Sequence, residues 1–281
     1  MKHQGSPYSI EIFVNIKMNL VSTVLIISSL YLQTLSIVLC DRCCRINSRK
    51  LPDYKLIRSN VRSNQLILSR TTVRNINECK QFSSAKKALA FNYGLETDHR
   101  EWNVDAENKS GRRIVCQALQ CPEIHKFTSF VPDKNYKYYS MYSSHISTGG
   151  DFSLVCIPRT GVFLFSNNDL SYSQAQISCQ KMNASIAHII SEQRTNELAK
   201  YILQNTSTFI GLSNRDHENI WKNEFGEPLA CFKYRAWAEG EPSHWKGCVG
   251  LFRPSESRSG PFWKVLSCDS TLPFICEIPP M

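Results

Sequence analysis

The alternation of apolar and polar residues is clearest in the second half of the chain, where it predicts two helices followed by short strands. Ser171 and Gln174 have the spacing of a capping box, and Ala175, Cys179 and Met182 then recur at helical spacing. The predicted elements are a helix from Ser171, a second helix over 191–203, and strands over 209–212, 248–252, 262–266 and 273–276. Two helices followed by short strands and long loops are typical of an α+β domain.

The first half has a weaker pattern, which predicts a small α+β module over residues 76–150. Glu78–Ala90 reads as a short helix, and the apolar run Leu89–Tyr93 reads as a strand that ends at Gly94. The sequence Gly149-Gly150-Asp151 predicts a flexible joint to the second half, because glycine pairs interrupt regular structure. At 281 residues the chain is long enough for two domains, each with its own core.

The 12 cysteines place the protein in an oxidising compartment. Their spacings differ from the paired Cys-x-x-Cys and Cys/His patterns of zinc modules, so disulfide bonds are the better interpretation. A hydrophobic fraction of 42% with 20% charged residues is ordinary for a folded protein and argues against wholesale disorder. We therefore expect a secreted, extracellular protein.

The N-terminus supports export. Lys17 precedes the uncharged run Leu20–Leu39, and arginines follow it, which predicts a signal peptide over residues 1–36. A signal anchor is the alternative, but the run is rich in Ser and Thr and its basic cluster lies on the side that would face the cytosol. We therefore expect no stable membrane insertion. Cleavage after Ser36 keeps all 12 cysteines, whereas cleavage after Cys40 leaves an odd thiol.

Most of the excess positive charge lies in the segment 37–75. Between residues 41 and 74, nine basic residues face two acidic ones, a net charge of +7 out of +9 for the whole chain. Arg58, Arg62 and Arg70 are the core of a predicted patch for a polyanion such as a glycosaminoglycan. The alternative is an exposed segment that its charges keep soluble. A nucleic-acid partner is not expected, because aromatic residues are not interleaved with these charges.

Three Asn-x-Ser sequons, at Asn108, Asn183 and Asn205, predict N-glycosylation of an exported chain. Asn183 is the least favourable of the three, because it ends a predicted helix beside a core cysteine.

The sequence does not point to an enzyme. It has no G-x-S-x-G, H-E-x-x-H or P-loop motif, and disulfide bonds would remove the cysteine nucleophiles. Its histidines, such as His188, His217 and His244, are scattered. We predict no cofactor, and a binding or structural role.

From residue 151 to 281 the motifs resemble a C-type lectin-like domain. The motifs, in chain order, are Ser171-Tyr172, Ala175, Cys179, Phe209-Ile-Gly-Leu212, Trp237, Gly240-Glu241-Pro242, Cys248, Trp263, Cys268 and Pro273-Phe-Ile-Cys-Glu277. The resemblance implies the disulfides Cys179–Cys276 and Cys248–Cys268. Cys156 and Cys231 are additional to this set, and we pair them with each other.

The first module resembles a PAN/apple module, because a cysteine on a helix precedes a strand that runs into Ala-Phe-Asn-Tyr-Gly. That family has a second cysteine one helical turn later, where this chain has Ser83, so an unclassified disulfide-stabilised domain is the alternative. The combination of modules also resembles secreted arthropod lectin-like proteins.

The resemblance also identifies where sugar-binding members hold calcium, a cation that takes six to eight oxygen ligands. Those members use a Glu-Pro-Asn or Gln-Pro-Asp triplet, a glutamate shortly before the second conserved cysteine, and a Trp-Asn-Asp triplet. Here Glu241-Pro242 is followed by Ser243, Lys246 occupies the glutamate position, and Lys264-Val265 replaces Asn-Asp. We therefore predict that this metal site is lost.

The function predicted from these residues is calcium-independent recognition of an extracellular protein, glycan or polyanion. Trp237 and Trp263 match positions that the family buries, whereas Trp245, between His244 and Lys246, is predicted to be an exposed contact. The candidate ligand-binding residues are Glu241, Ser243, Trp245, Lys246 and Lys264. The alternatives are a structural component of extracellular matrix or cuticle, and a lectin with a non-standard carbohydrate site.

Overall fold

The structure is a computed structural model of the chain. It describes residues 53–97, 112–124, 128–143, 146–215, 220–244, 246–255 and 260–281. The predicted signal peptide over 1–36, the sequon at Asn108 and the predicted contact residue Trp245 lie outside the described residues. No helix in the part of the chain that the structure describes is long and apolar enough to cross a bilayer.

The first module is built on a five-stranded antiparallel sheet in the order β1-β5-β3-β4-β2. Its strands are β1 Lys55–Ser63, β2 Ile67–Thr72, β3 Ala90–Thr97, β4 Arg112–Leu119 and β5 Phe130–Ser140. The sequence predicts a basic segment over 37–75 that precedes the module. In the structure, β1 and β2 of that segment are instead the two edge strands of the module's sheet. Sequence patterning missed them because β1 is bulged at two places, which interrupts its two-residue period.

The helix α1, Ile76–Ala85, packs on one face of this sheet. It starts earlier than predicted because the Asn75 side chain caps it by accepting from the backbone N–H of Glu78. Cys79 on α1 is bonded to Cys116 on β4. Ser83, one turn further along α1, is buried, with its hydroxyl 3.6 Å from the Cys116 sulfur.

The strand β3 continues through Gly94, where the sequence predicts an end. A β-carbon at Gly94 would lie 2.5 Å from the ring of Tyr136 on the neighbouring β5. Glycine at this position therefore makes room for an aromatic ring rather than for a turn.

The two modules belong to one compact unit over Lys50–Met281 and are linked by more than the connection at residues 149–151. Leu89, Ile124 and Tyr142 form an apolar cluster with Val162 of the second module. The backbone N–H of Met281 donates to the carbonyl of Met141 at 2.7 Å. The joint is thus bridged by packing contacts.

A disulfide between Cys121 and Cys156 also joins the modules, with Cα atoms 5.9 Å apart. The predicted pair Cys156–Cys231 is therefore wrong. The prediction treated each module as crosslinked within itself, whereas Cys156 lies on the first strand of the second module and faces the end of the first. Cys231 is itself disulfide-bonded, but not to Cys156.

The second module contains two four-stranded sheets, in the orders β6-β7-β13-β8 and β10-β9-β11-β12. The first sheet contains β6 Phe152–Ile157, β7 Gly161–Ser166, β8 Ser185–Ile186 and β13 Ile275–Ile278; the second contains β9 Ser207–Asn214, β10 Lys222–Asn223, β11 Gly247–Phe252 and β12 Phe262–Leu266. A parallel bridge between Phe209 and Phe274 connects them. The predicted α+β class is confirmed.

Two short helices, α2 Tyr172–Lys181 and α3 Glu192–Ala199, complete this module. The capping box of Ser171 and Gln174 is present, which fixes the start of α2. The helix α3 is shorter than the predicted helix over 191–203. Thr195, Leu198 and Ile202, which the helical spacing places on one face of that segment, are nevertheless all buried.

The two disulfides implied by the resemblance are present in the second module. Cys179 on α2 is bonded to Cys276 on β13, and Cys248 on β11 is bonded to Cys268. The first joins residues 97 positions apart in sequence, and the second joins residues 20 apart. Cys179 and Cys276 lie in an apolar core cluster with Leu164, Phe209 and Phe274.

Candidate functional site

The long loop between β10 and β11 is anchored by aromatic rings in edge-to-face and tilted contact. Trp263 on β12 is fully buried, and the half-buried Trp237 lies with its ring centroid 5.4 Å from those of Trp263 and Trp221. Tyr234 makes an edge contact with Trp263 at 5.6 Å. The loop is also tied to β12 through its backbone, since the N–H of Ala238 donates to the carbonyl of Trp263 at 2.9 Å.

Arg235 fixes the middle of the loop from within. Its guanidinium donates to the carbonyl oxygens of Leu229, Phe232 and Tyr234 at 2.5–2.7 Å. Burial lowers the pKa of Arg235 from its ordinary value. Because Arg235 is engaged with its own loop, we assign it a structural role.

Glu241, the one carboxylate retained from the calcium-binding pattern, is bonded within its own turn. Its Oε2 atom accepts from the backbone N–H of Ser243 at 2.6 Å and from the Ser243 hydroxyl at 2.9 Å. The Glu241–Pro242 peptide bond is cis. Ser243 thus acts as a short donor to Glu241, whereas an amide side chain at this position would offer a carbonyl oxygen as a metal ligand.

Lys264 and Val265 occupy the two positions that follow Trp263 on β12. Val265 is buried in the core, so no polar atom is presented there. The Lys264 ammonium lies 4.0 Å from the ring centroid of Phe252 and 5.3 Å from that of Phe262. Cation–aromatic contacts of this length are favourable. The side chain is therefore held over two phenyl rings.

Phe252, Phe262 and Lys264 together form a surface that we call the Lys264–Phe patch. Phe252 and Phe262 face each other across β11 and β12 with stacked rings 5.1 Å apart, and all three residues are half-buried. Sequence analysis selected Lys264 but missed both phenylalanines. The two-residue period of β12 places Phe262 and Lys264 on one face, which is the signal that could have identified the patch.

Lys246 is the remaining candidate ligand-binding residue that the structure describes. Lys246 is exposed and directly precedes β11. Among the described residues, no group of three or more His, Cys, Asp or Glu side chains is arranged to hold a metal ion.

The three arginines of the predicted polyanion patch lie on one face of the first module's sheet. Arg58 pairs with Tyr138, and Arg70 pairs with Gln117. Because Asn92 pairs with both Tyr138 and Gln117, these residues form one row across all five strands. Strands lie about 4.8 Å apart, so Arg58 and Arg70 at opposite edges of the row are roughly 19 Å apart.

Arg62 lies on the same face of the sheet, beside a buried tyrosine. Its guanidinium is 5.8 Å from the ring centroid of Tyr136, and that of Arg58 is 5.8 Å from Phe130. Burial raises the pKa of Tyr136, while the positive charges of Arg70 and Arg62 act in the opposite direction. Both arginine charges thus act on the Tyr136 hydroxyl. We call Arg58, Arg62 and Arg70 the basic sheet face.

The two described sequon asparagines are exposed, and both adopt left-handed backbone conformations. Asn183 has φ 52° and follows the C-cap of α2, where its N–H donates to the carbonyl of Gln180. Asn205 has φ 57°, and its side-chain oxygen accepts from the N–H of Ser255 at 3.1 Å.

Residues 168–278 match the model of the Lectin C-type domain family. The second half of the protein is therefore a C-type lectin-like domain, as its motifs, fold and disulfides indicate together. The match ends at β13 and does not include the five-stranded sheet of the first module.

Several characterised proteins are similar to this domain. CD209 antigen-like protein D of Mus musculus is 30% identical over 115 residues, which cover 41% of this chain and 46% of that protein. Lithostathine of Rattus norvegicus is 28% identical over 122 residues, 41% of this chain and 70% of that protein. The chain thus spans less than half of the CD209-like relative. A solved mouse scavenger receptor C-type lectin carbohydrate-recognition domain aligns at 23% identity with a TM-score of 0.39, covering 48% of this chain and 98% of that one.

Proposed function

We propose that this protein is an extracellular recognition protein whose C-type lectin-like domain binds its ligand without calcium. The observation that carries the proposal is the state of four of the five positions that would supply the metal ligands. Glu241 is bonded to Ser243, Val265 is buried in the core, and Lys264 is stacked over two rings.

Electrostatics supports the same proposal. Calcium needs six to eight oxygen ligands, and this region retains one carboxylate among the matching positions. Lys246 and Lys264 carry positive charge where acidic or amide oxygens would stand. Two unit charges at about 4 Å repel by roughly 4 kcal/mol at an effective dielectric constant of 20. A divalent cation would meet that cost without the ligands to offset it.

We assign ligand contact to the Lys264–Phe patch and, from the sequence alone, to Trp245. Aromatic side chains such as phenylalanine are enriched at protein–protein interfaces, and a lysine ammonium can pair with an anionic group on a glycan. A protein or an acidic glycan is therefore the ligand class that this surface favours. Catalysis is not part of the proposal.

Column retention tests this proposal on the full-length protein. We expect no retention on immobilised mannose or galactose that EDTA can release. EDTA-released retention, abolished by Glu241→Ala and unaffected by Lys264→Ala, would contradict the proposal and favour a calcium-dependent lectin.

Secretion is part of the same proposal. The eight cysteines in the disulfides reported above are buried or half-buried, and such bonds persist in oxidising compartments. The exposure of Asn183 and Asn205 is compatible with N-linked glycans at both sites.

A second candidate function, polyanion binding, is favoured by the basic sheet face. Arg58 and Arg70 stand roughly 19 Å apart at the two edges of a row whose middle residues, Tyr138, Asn92 and Gln117, are buried. An extended chain of sulfate or carboxylate groups could reach both exposed edges, whereas a small ligand could not. Arg58 and Arg70 are exposed.

Charge reversal tests this second function. The triple variant Arg58→Glu, Arg62→Glu, Arg70→Glu is expected to elute from immobilised heparin at clearly lower salt than the parent, because exposed charges are screened within about 8–10 Å near physiological ionic strength. The matched control, Lys181→Glu, Lys200→Glu, Lys233→Glu, changes the net charge equally at exposed positions of the second module. Equal elution shifts for the two triple variants would show that the basic sheet face acts only through the net charge of the protein.

A further inference from the structure

A cavity of about 520 Å³ lies at the joint between the two modules, and we call it the joint cavity. Its walls come from three stretches of chain: the segment that follows β5, which contains Ile146; the end of α2, at residues 181–183; and residues 278–281, at and beyond the end of β13. Ile146 and Ile278 also pack against the apolar cluster that bridges the modules. The cavity shares no residue with the long loop or with the basic sheet face.

The walls of the joint cavity are fixed by backbone contacts. The N–H of Met281 donates to the carbonyl of Met141 at 2.7 Å, which holds this tail against the first module. Ile278 is the last residue of β13, so sheet pairing fixes its position. The N–H groups of Met182 and Asn183 donate at 2.9 Å to carbonyl oxygens in the last turn of α2. The cavity is therefore preformed.

Most of the lining of the joint cavity is apolar and is not fully covered. Ile146, Met182 and Ile278 are half-buried, and Met281 is 37% exposed. Apolar surface that stays in contact with water gains stability when another group covers it. The cavity volume lies in the range of about 300–1,000 Å³ that is typical of sites for small molecules. The cavity thus has room for a compact group with an apolar face.

Asn183 lines the joint cavity and is also exposed to solvent. It is the acceptor of the sequon Asn183-Ala184-Ser185. Its backbone is left-handed, with φ 52°, a conformation that asparagine adopts more readily than most residues. A sugar attached to the Asn183 amide nitrogen would therefore start at the edge of the cavity.

The first sugar of an N-linked glycan matches this lining. N-acetylglucosamine has an apolar ring face and an acetamide methyl group, which can cover Met182 and Ile278. The lining also contains the Ser147 hydroxyl and the Lys181 ammonium, which can bond to the sugar hydroxyl groups. Because the sugar would be tethered beside the cavity, its effective concentration would be high, and weak contacts are enough to hold it there.

We propose that Asn183 carries an N-linked glycan whose first N-acetylglucosamine packs into the joint cavity and stabilises the contact between the two modules. The occupant is attached to the chain and is not a ligand taken from solution. The inference rests on the secretion proposed above, because this modification is made on exported chains. It reverses the order expected from the sequence, in which Asn183 is the least favourable sequon.

The modification is a transfer from a lipid-linked diphosphate oligosaccharide of the secretory pathway. A bond forms between Nδ2 of Asn183 and C1 of the first sugar, and the bond between C1 and the diphosphate oxygen breaks. The amide loses one proton, and the lipid diphosphate leaves with the bonding electron pair.

The test compares two matched variants of the full-length protein, secreted from insect or mammalian cells. Ser185→Ala and Ser207→Ala each remove one sequon hydroxyl, at a half-buried first residue of β8 and of β9, and each leaves its left-handed asparagine in place. Ser185→Ala should lower the midpoint of thermal unfolding by about 2–4 °C, because the apolar lining is uncovered again, whereas Ser207→Ala should not. Ser185→Thr keeps the sequon and should unfold like the parent.

A second measurement follows the release of each glycan from the folded parent by a peptide N-glycosidase, with mass spectrometry of the two sequon peptides. The Asn183 glycan should be released at least about tenfold more slowly than the Asn205 glycan, because the cavity must first open, and denaturation should remove the difference. This measurement decides the matter if Ser185→Ala is not secreted.

Three outcomes would overturn the proposal: secreted protein with a glycan at Asn205 and none at Asn183, equal release rates from the folded parent, or equal midpoints for Ser185→Ala and Ser207→Ala. Each of these leaves the proposed secretion intact. A chain without a glycan at any sequon that stays inside the cell would instead contradict the proposed secretion together with this inference.

Discussion

Replacing Cys179 and Cys276 together by alanine is expected to lower the free energy of unfolding by about 4–5 kcal/mol. The bond joins residues 97 positions apart, and a crosslink that closes a long loop removes the most entropy from the unfolded chain. Since folded proteins are stable by only about 5–15 kcal/mol, this loss removes a large share of the total stability, and less of the variant should be secreted.

The matched control is the pair Cys248→Ala, Cys268→Ala. That bond joins residues 20 positions apart, for which the same relation gives about 3 kcal/mol. Urea unfolding of the parent and of both variants, with the remaining disulfides kept intact, measures both losses. The slopes of the unfolding curves are compared between the variants. A larger loss for the shorter loop would contradict the role assigned to Cys179–Cys276.

Trp263→Ala is the second substitution with a large expected effect, a loss of about 3–5 kcal/mol in the free energy of unfolding. Trp263 is fully buried and contacts Trp237 and Tyr234, which belong to the long loop. Its indole N–H has no hydrogen-bond partner, so the loss comes from packing alone. Thermal and urea unfolding measure the change.

Phe262→Ala is the control for Trp263→Ala, because it removes an aromatic ring from the neighbouring position of the same strand. Phe262 is half-buried and lies on the other face of β12, where it contacts Phe252 and Lys264. Its loss should be clearly smaller. Equal losses for the two variants would show that the long loop is not anchored on Trp263.

Much of the second module could be predicted from its sequence because its signals are local. The capping box at Ser171, the apolar face of α3 and the strand over 262–266 each depend on residues within a few positions of one another. The first module depends on distant pairing instead. Strand β1 pairs with β5, and Cys121 is bonded across the module boundary to Cys156, and neither contact has a short-range pattern.

The candidate site was predictable in composition but not in geometry. The replacement of calcium ligands at Ser243, Lys246 and Lys264 can be read from the order of motifs. The Glu241–Ser243 bonds depend on side-chain conformations that the sequence does not specify. The strand period places Phe262 and Lys264 on one face, but the contact with Phe252 depends on how β11 pairs with β12.

The central claim is that the C-type lectin-like domain works without calcium, and a calcium titration tests it most directly. Calorimetric titration of calcium into the full-length protein, beside Glu241→Ala, should show no binding that the substitution removes. The midpoint of thermal unfolding should be the same in calcium and in EDTA. Millimolar or tighter calcium binding in the parent that is lost in Glu241→Ala, with an unfolding midpoint that EDTA lowers, would contradict the account.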